Sequence, residues 1–187
     1  MARLGGVLMA GGAFLRGERV TLRTVEEEDL AFITETVADP QVRRPLTMAR
    51  PTNTEATREH FEDRISDHDS VDFAVCLDGE IQGLVWLFDL DQQAGHAEIG
   101  YWLTPDVHSQ GIMTEAARLV VGYAFEELRL HRVRGRALAS NDASLSVLRN
   151  CGMTQEALAR EAAHVDGEYV DMVHLGVLRE EWTETTA

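Results

Sequence analysis

The run from His96 to Leu128 constrains this chain more than any other part of it. "HAEIGYWL" reads as a strand and stops at Thr104-Pro105. A polar loop with a single glycine, Gly111, follows. Then comes a helical run from Ile112 to about Leu128, in which Met113, Ala116, Ala117, Val120, Ala124 and Leu128 trace one apolar stripe. A second alternating run, "RVRGRALAS", completes the unit. Two strands joined through a helix of this length lie parallel in one sheet, or splay from it, with the helix packed over one face. The start of the helix offers N–H groups with no partner in the helix, so the loop before it is expected to hold an anion.

The remaining pattern surrounds that unit with antiparallel structure. "ERVTLRTV" alternates, and "TVEEEDLAFITETVADP" reads as a helix ending before Pro40. A charged helical segment spans roughly 53–70, after a loop holding Pro45 and Pro51. Asp78-Gly79 splits "VDFAVCLDGEIQGLVWLFDL" into a hairpin. Residues 142–151 predict a short helix closed by Gly152, the residue type that best takes a left-handed C-terminal cap. A strand pair turning at Asp166-Gly167 closes the chain. The order is β, α, α, β, β, β, α, β, α, β, β. It predicts one α/β (α+β) domain over 17–182, with a mixed, mostly antiparallel sheet and flanking helices. Residues 1–16, rich in glycine, read as a flexible leader, and 183–187 as a tail.

Charge narrows the partners. The net charge is −15, and all 17 basic residues are arginine. Such a surface repels nucleic acid and anionic membranes and attracts cations. No apolar run is long enough to span a bilayer. Cys76 and Cys151 sit in apolar patterns and read as buried free thiols, which suits a cytoplasmic location. The histidines at 96, 131, 164 and 174 lack metal-ligand spacing, so no metal is expected.

Two common phosphate loops do not match. A Walker loop needs a second glycine followed by Lys-Ser/Thr, and a dinucleotide fingerprint needs three glycines in six residues. The run His108-Ser109-Gln110-Gly111-Ile112-Met113, continuing to Thr114, resembles the pyrophosphate loop of the GNAT acetyltransferases, usually Arg/Gln-x-x-Gly-x-Gly/Ala. Four flanking stretches carry the same resemblance: "GERVTLRTVEEEDL", "AEIGYWLTPD", "NDASLSVLRNCGM" and "DGEYVDMVHLGVLREEW". Together they look like the ribosomal-protein N-acetyltransferase (Rim-type) branch, over about 17–182. Two positions depart from the pattern: His108 replaces a permanent cation or glutamine, and Met113 replaces a small residue.

The resemblance implies an enzyme that moves acetyl from acetyl-CoA to a primary amine by direct attack in a ternary complex. The first expectation for the acceptor is a protein N-terminal amine. A small amine, such as an aminoglycoside or polyamine, is the second, and a non-catalytic acyl-CoA-binding module is the rival class. A homodimer is allowed. The main-chain N–H groups at Ser109, Gln110, Gly111, Ile112, Met113 and Thr114, with His108 before them, would wrap the pyrophosphate. The main chain of Tyr101, Trp102 and Leu103 would pair with the pantetheine arm, and Trp102 would line the acceptor side. Asn141 is an N-cap in its own right and, by the resemblance, a coenzyme contact. For the base, Glu98 shares a strand face with Gly100 and Trp102; an arginine partner is its alternative role. Glu161 is the second candidate, although Ala163 lies nearer the branch's proposed base position. Many family members place an acidic tyrosine where this chain has Leu148, so Ser144 is the candidate acid.

Overall fold

Period-two patterning produces a sheet of eight strands in the computed structural model, which describes residues 11–182 except residue 68 and the side chains of 64–68. The strands are β1 (Ala13–Arg16), β2 (Val20–Arg23), β3 (Val71–Leu77), β4 (Glu80–Asp91), β5 (His96–Leu103), β6 (Arg132–Leu138), β7 (Thr154–Val165) and β8 (Glu168–Leu178). They lie in the order β1-β2-β3-β4-β5-β6-β8-β7. Every pairing is antiparallel except β5 with β6.

The parallel pair is forced by the crossover helix α4 (Ile112–Glu126), as its apolar stripe predicts. Met113, Ala116, Ala117, Val120 and Ala124 are all buried, with Ile112, Val121 and Phe125 beside them. They pack on Val75, Val85, Leu87, Ala97, Ile99 and Val133 from one face of the sheet. The larger of these side chains stabilise by roughly 1.5–3 kcal/mol each, and the alanine methyls by less. Helix α5 (Asp142–Asn150) covers the same face through Leu145 and Leu148. It ends as predicted, with Gly152 at φ 79°.

The opposite face carries α1 (Leu30–Ala38), the short α2 (Pro40–Arg43) and α3 (Thr54–Asp67). Their core joins Leu30, Ile33, Val42 and Phe61 to Ala74, Cys76, Leu84 and Trp102. A buried fork ties β2 to the turn before α1. Arg23 donates to Asp29 through Nη1 (2.6 Å) and Nη2 (2.8 Å), and Asp29 also accepts the Glu26 N–H.

One expectation needs correction. The last residues of the predicted leader form β1, an edge strand on β2, because Phe14 packs against Phe73 and Tyr123. Residues 1–10, like the predicted tail 183–187, lie outside the described residues. The helix expected to stop before Pro40 does so, at Ala38, and the short α2 that follows starts because Asp39 accepts the Gln41 N–H at 2.7 Å and Pro40 occupies the first helical position.

Candidate active site

The loop between β5 and α4 is shaped by two left-handed residues, Ser109 (φ 59°) and Gly111 (φ 80°). Gly111 is the N-cap of α4, and a Cβ added there would meet nothing within 4 Å. Glycine is therefore required by the backbone angle and not by crowding. The Glu115 N–H is the first to close onto the helix, reaching the Gly111 carbonyl at 3.0 Å. The N–H groups of Gly111, Ile112, Met113 and Thr114 precede it and find no partner among the described residues. The side chains of Ile112 and Met113 turn into the core instead. That accounts for the tolerance of methionine where a small residue is usual.

The loop's own polar side chains brace it. Gln110 donates through Nε2 to the Asp106 carbonyl (3.2 Å). His108 turns back to the end of β5, with Nε2 3.0 Å from the Leu103 carbonyl. The ring of His108, expected beside the pyrophosphate, thus braces the strand end. From outside the loop, Arg19 donates through Nη1 to the Gln110 carbonyl (2.9 Å), and Glu115 accepts the backbone N–H groups of Arg19 and Val20 at 2.9 and 3.0 Å. A Cβ at Gly17 would overlap that carboxylate.

Between β5 and β6 the ladder is short. His96, Ala97 and Glu98 pair with Arg132, Val133 and Arg134, and pairing then stops although both strands continue. The strands splay beyond Glu98, toward the end where the loop lies. The Thr104 N–H bonds the Gln82 carbonyl on β4, and the β4 register sets Leu84 opposite Trp102. Strand alternation therefore turns the main-chain groups of Trp102 toward β4, and those of Tyr101 and Leu103 toward the splay. Of the three residues, only Tyr101 and Leu103 thus turn main-chain groups to the splay. The Trp102 side chain joins the opposite face, 6.2 Å from the Phe32 ring between centroids.

Across the splay, α5 is capped as predicted: Asn141 Oδ1 accepts the Ser144 N–H at 3.1 Å. The Tyr101 hydroxyl reaches the same serine, 2.9 Å from Oγ and 3.1 Å from its carbonyl oxygen. Sequence reasoning missed this contact, which joins residues 43 apart in the chain. Burial pushes the Tyr101 phenol well above its usual range, so it stays protonated.

On the other face Glu98 is buried, with Gly100 and Trp102 beside it as alternation predicted. Its carboxylate forms ion pairs with Arg136 Nε (3.0 Å) and Arg134 Nε (3.2 Å), the arginine partnership weighed as its alternative role. Arg134 also donates to Asp89 at 3.0 Å. A cleft of about 370 Å³ adjoins this cluster, lined by Glu98, Arg134, Glu156, Leu158 and His174 among others. Trp86 covers Gly100 so closely that an added Cβ would lie 2.5 Å from the indole. Above this face, Arg44 of the segment after α2 meets Asp166 at the β7–β8 turn (3.1 Å). Glu161 sits elsewhere, exposed on β7 at a bulge, with φ 50° and its N–H held by Asp171 at 2.9 Å. Among the described residues, no group of His, Cys, Asp and Glu is arranged to hold a metal ion.

Comparison with known proteins places this geometry. A family model described as an acetyltransferase (GNAT) domain matches residues 19–154. The putative ribosomal N-acetyltransferase YdaF of Bacillus subtilis is 33% identical over 172 residues, 88% of this chain and 94% of that protein. The fold is shared with a spermidine N-acetyltransferase of Vibrio cholerae in complex with CoA and spermine, at a TM-score of 0.83 and 22% identity over 88% of this chain and 98% of that one. It is shared too with RimL, a ribosomal L7/L12 α-N-protein acetyltransferase, at a TM-score of 0.77 and 20% identity over 87% and 95%.

Proposed function

Because the chain belongs to the GNAT acetyltransferase family, we propose that it transfers acetyl from acetyl-CoA to a primary amine, both bound at once. The observation that carries this reading is the splay of β5 from β6, with the four unpaired N–H groups of 111–114 at its open end. A cradle of main-chain donors suits a pyrophosphate and asks for no metal. An extended thioester arm in the splay would pair with the exposed main chain of Tyr101 and Leu103, as an added strand pairs with a sheet edge.

The residues divide the chemistry between the two sides of the sheet. On the α5 side, Ser144 donates a hydrogen bond to the leaving sulfur. Asn141 holds the helix start that presents it. On the other side, Glu98 receives the amine proton through water, using lone pairs that its ion pairs leave open. Arg134 and Arg136 fix its orientation. No covalent enzyme intermediate is involved, because positioning the amine against the thioester supplies most of the acceleration.

The acceptor we propose is a protein N-terminal amine, supported by the likeness to a putative ribosomal N-acetyltransferase. A polyamine is the second reading, favoured by the net charge of −15, which attracts a polycation. The two free buried cysteines suit a reducing cytoplasm. Thiol release from acetyl-CoA is to be measured against a panel of short peptides with free N-termini, spermidine and an aminoglycoside. Turnover on peptides alone supports the first reading, and turnover on spermidine alone replaces it. Tight acetyl-CoA binding with no turnover on any amine would mark a binding module instead.

A further inference from the structure

Lending main chain to a ligand does not account for the Tyr101 side chain. Tyr101 stands on β5 beyond the last rung to β6, and its hydroxyl crosses the splay to Ser144 on α5. A phenol largely withdrawn from water needs a partner, and the Ser144 carbonyl alone would supply one. That carbonyl, however, lies inside α5, where the helix's own i+4 amide satisfies it. The phenol has one hydrogen and two candidate acceptors 2.9 and 3.1 Å away. If the hydrogen goes to the carbonyl, Ser144 Oγ–H is spent on the phenol oxygen. If it goes to Oγ, the serine hydrogen is released toward whatever occupies the splay. Asn141 holds the same serine from behind, through its N–H.

We infer that Tyr101 is a positioning residue for acetyl transfer: its phenol donates to Ser144 Oγ and so aims the serine hydrogen at the sulfur that leaves. The inference rests on the proposed function. In the step itself, the amine nitrogen bonds the acetyl carbon and the carbon–sulfur bond breaks. The proton lost by the amine nitrogen equals the one the sulfur finally gains. Ser144 and Tyr101 end as they began, because they share hydrogens without giving them up.

The test uses the full chain and coenzyme A itself, with no acceptor. The thiol of bound coenzyme A is titrated by its thiolate absorbance in wild type, Tyr101→Phe, Ser144→Ala and the double variant. A hydrogen bond to the thiolate lowers its pKa, so both single variants should raise the bound thiol pKa by about half a unit or more. The double variant should add little to either, and the Kd for coenzyme A should move less than about twofold, a few tenths of a kcal/mol. With an acceptor that turns over, Tyr101→Phe should lower kcat about ten- to a hundredfold with KM for acetyl-CoA unchanged. A raised thiol pKa in Ser144→Ala but not in Tyr101→Phe overturns the positioning role and leaves the serine in place. No change in either variant removes both. Failure of wild type to bind coenzyme A removes the proposed function and this inference with it.

Discussion

Glu115 Oε1 lies 2.9 Å from the backbone nitrogen of Arg19, and this contact stitches the first turn of α4 to the start of β2. The loop that presents the free amides is thereby anchored from outside, since Arg19 also holds the Gln110 carbonyl. Replacing Glu115 with Ala leaves two backbone N–H groups without their acceptor, at a cost of about 1–3 kcal/mol. Urea unfolding should register that loss, and the Kd for coenzyme A should rise. Gly17→Ala should act the same way, because its methyl would displace the carboxylate.

Glu98 is more than a base candidate, because two arginines depend on it. Glu98→Gln should lower kcat with KM for acetyl-CoA little changed. It should also lower the melting temperature, since it leaves Arg134 and Arg136 without their shared counter-charge. The half-exposure of the arginines keeps that second effect toward the surface-pair scale of about 1 kcal/mol. Unaltered turnover in a folded Glu98→Gln variant would leave Glu98 with the structural role alone.

Gly100 owes its place to the indole above it. In Gly100→Ala the methyl must push Trp86 aside, an overpacking that costs about 1–3 kcal/mol. The expected signs are a lower denaturation midpoint and a shifted tryptophan emission. If both match wild type, the close approach of Trp86 to this strand is wrong.

Alkali should unfold the protein early. Burial pushes the Cys151 thiol up to about 12 from about 9, and raises Cys76 and Tyr101 as well. Each group keeps its proton in the folded chain where the unfolded chain has already lost it. The stability tied to these groups is complete below pH 9 and drains away as pH rises toward 12. The urea midpoint should therefore fall between pH 9 and 10.5, and a Cys151→Ala variant should lose less over that interval. In the native state at neutral pH neither thiol should react with a disulfide reagent.

His108 hydrogen-bonds the end of its own strand, so coenzyme affinity should not depend on its ring. In His108→Gln the Kd for coenzyme A should stay within about twofold of wild type, a few tenths of a kcal/mol. A tenfold weakening would show the ring facing the anion after all.

Local patterns carried most of this architecture in the sequence. The stripe from Met113 to Ala124 dictated α4, the Asp78-Gly79 pair dictated a hairpin, and both residues take positive φ there. Asn141 announced its cap, and Gly152 its left-handed turn. What escaped was non-local or too short to repeat. Strand β1 spans four residues beside glycines, and its docking depends on Phe14 meeting rings far along the chain. The arginine partners of Glu98 are set by a parallel register, which the alternation of Arg132, Arg134 and Arg136 does not specify. The Tyr101–Ser144 contact needs the splay, and the splay exists only once both strands are placed. The bond of His108 to the Leu103 carbonyl was not legible either, because a loop side chain can turn either way.

The bulge in β7 has a consequence for how the molecule behaves in company. β7 is an edge of the sheet, bonded among the described residues to β8 alone, and Leu158 on it is 49% exposed. A flat edge of that length would template strand addition from neighbouring molecules. The register shift between Ala159 and Ala163, with Glu161 in a left-handed turn, breaks the row of amides midway. Combined with a charge of −15, the broken edge should keep concentrated samples free of filaments at low ionic strength, and straightening it by deleting the two extra residues, Arg160 and Glu161, should invite them.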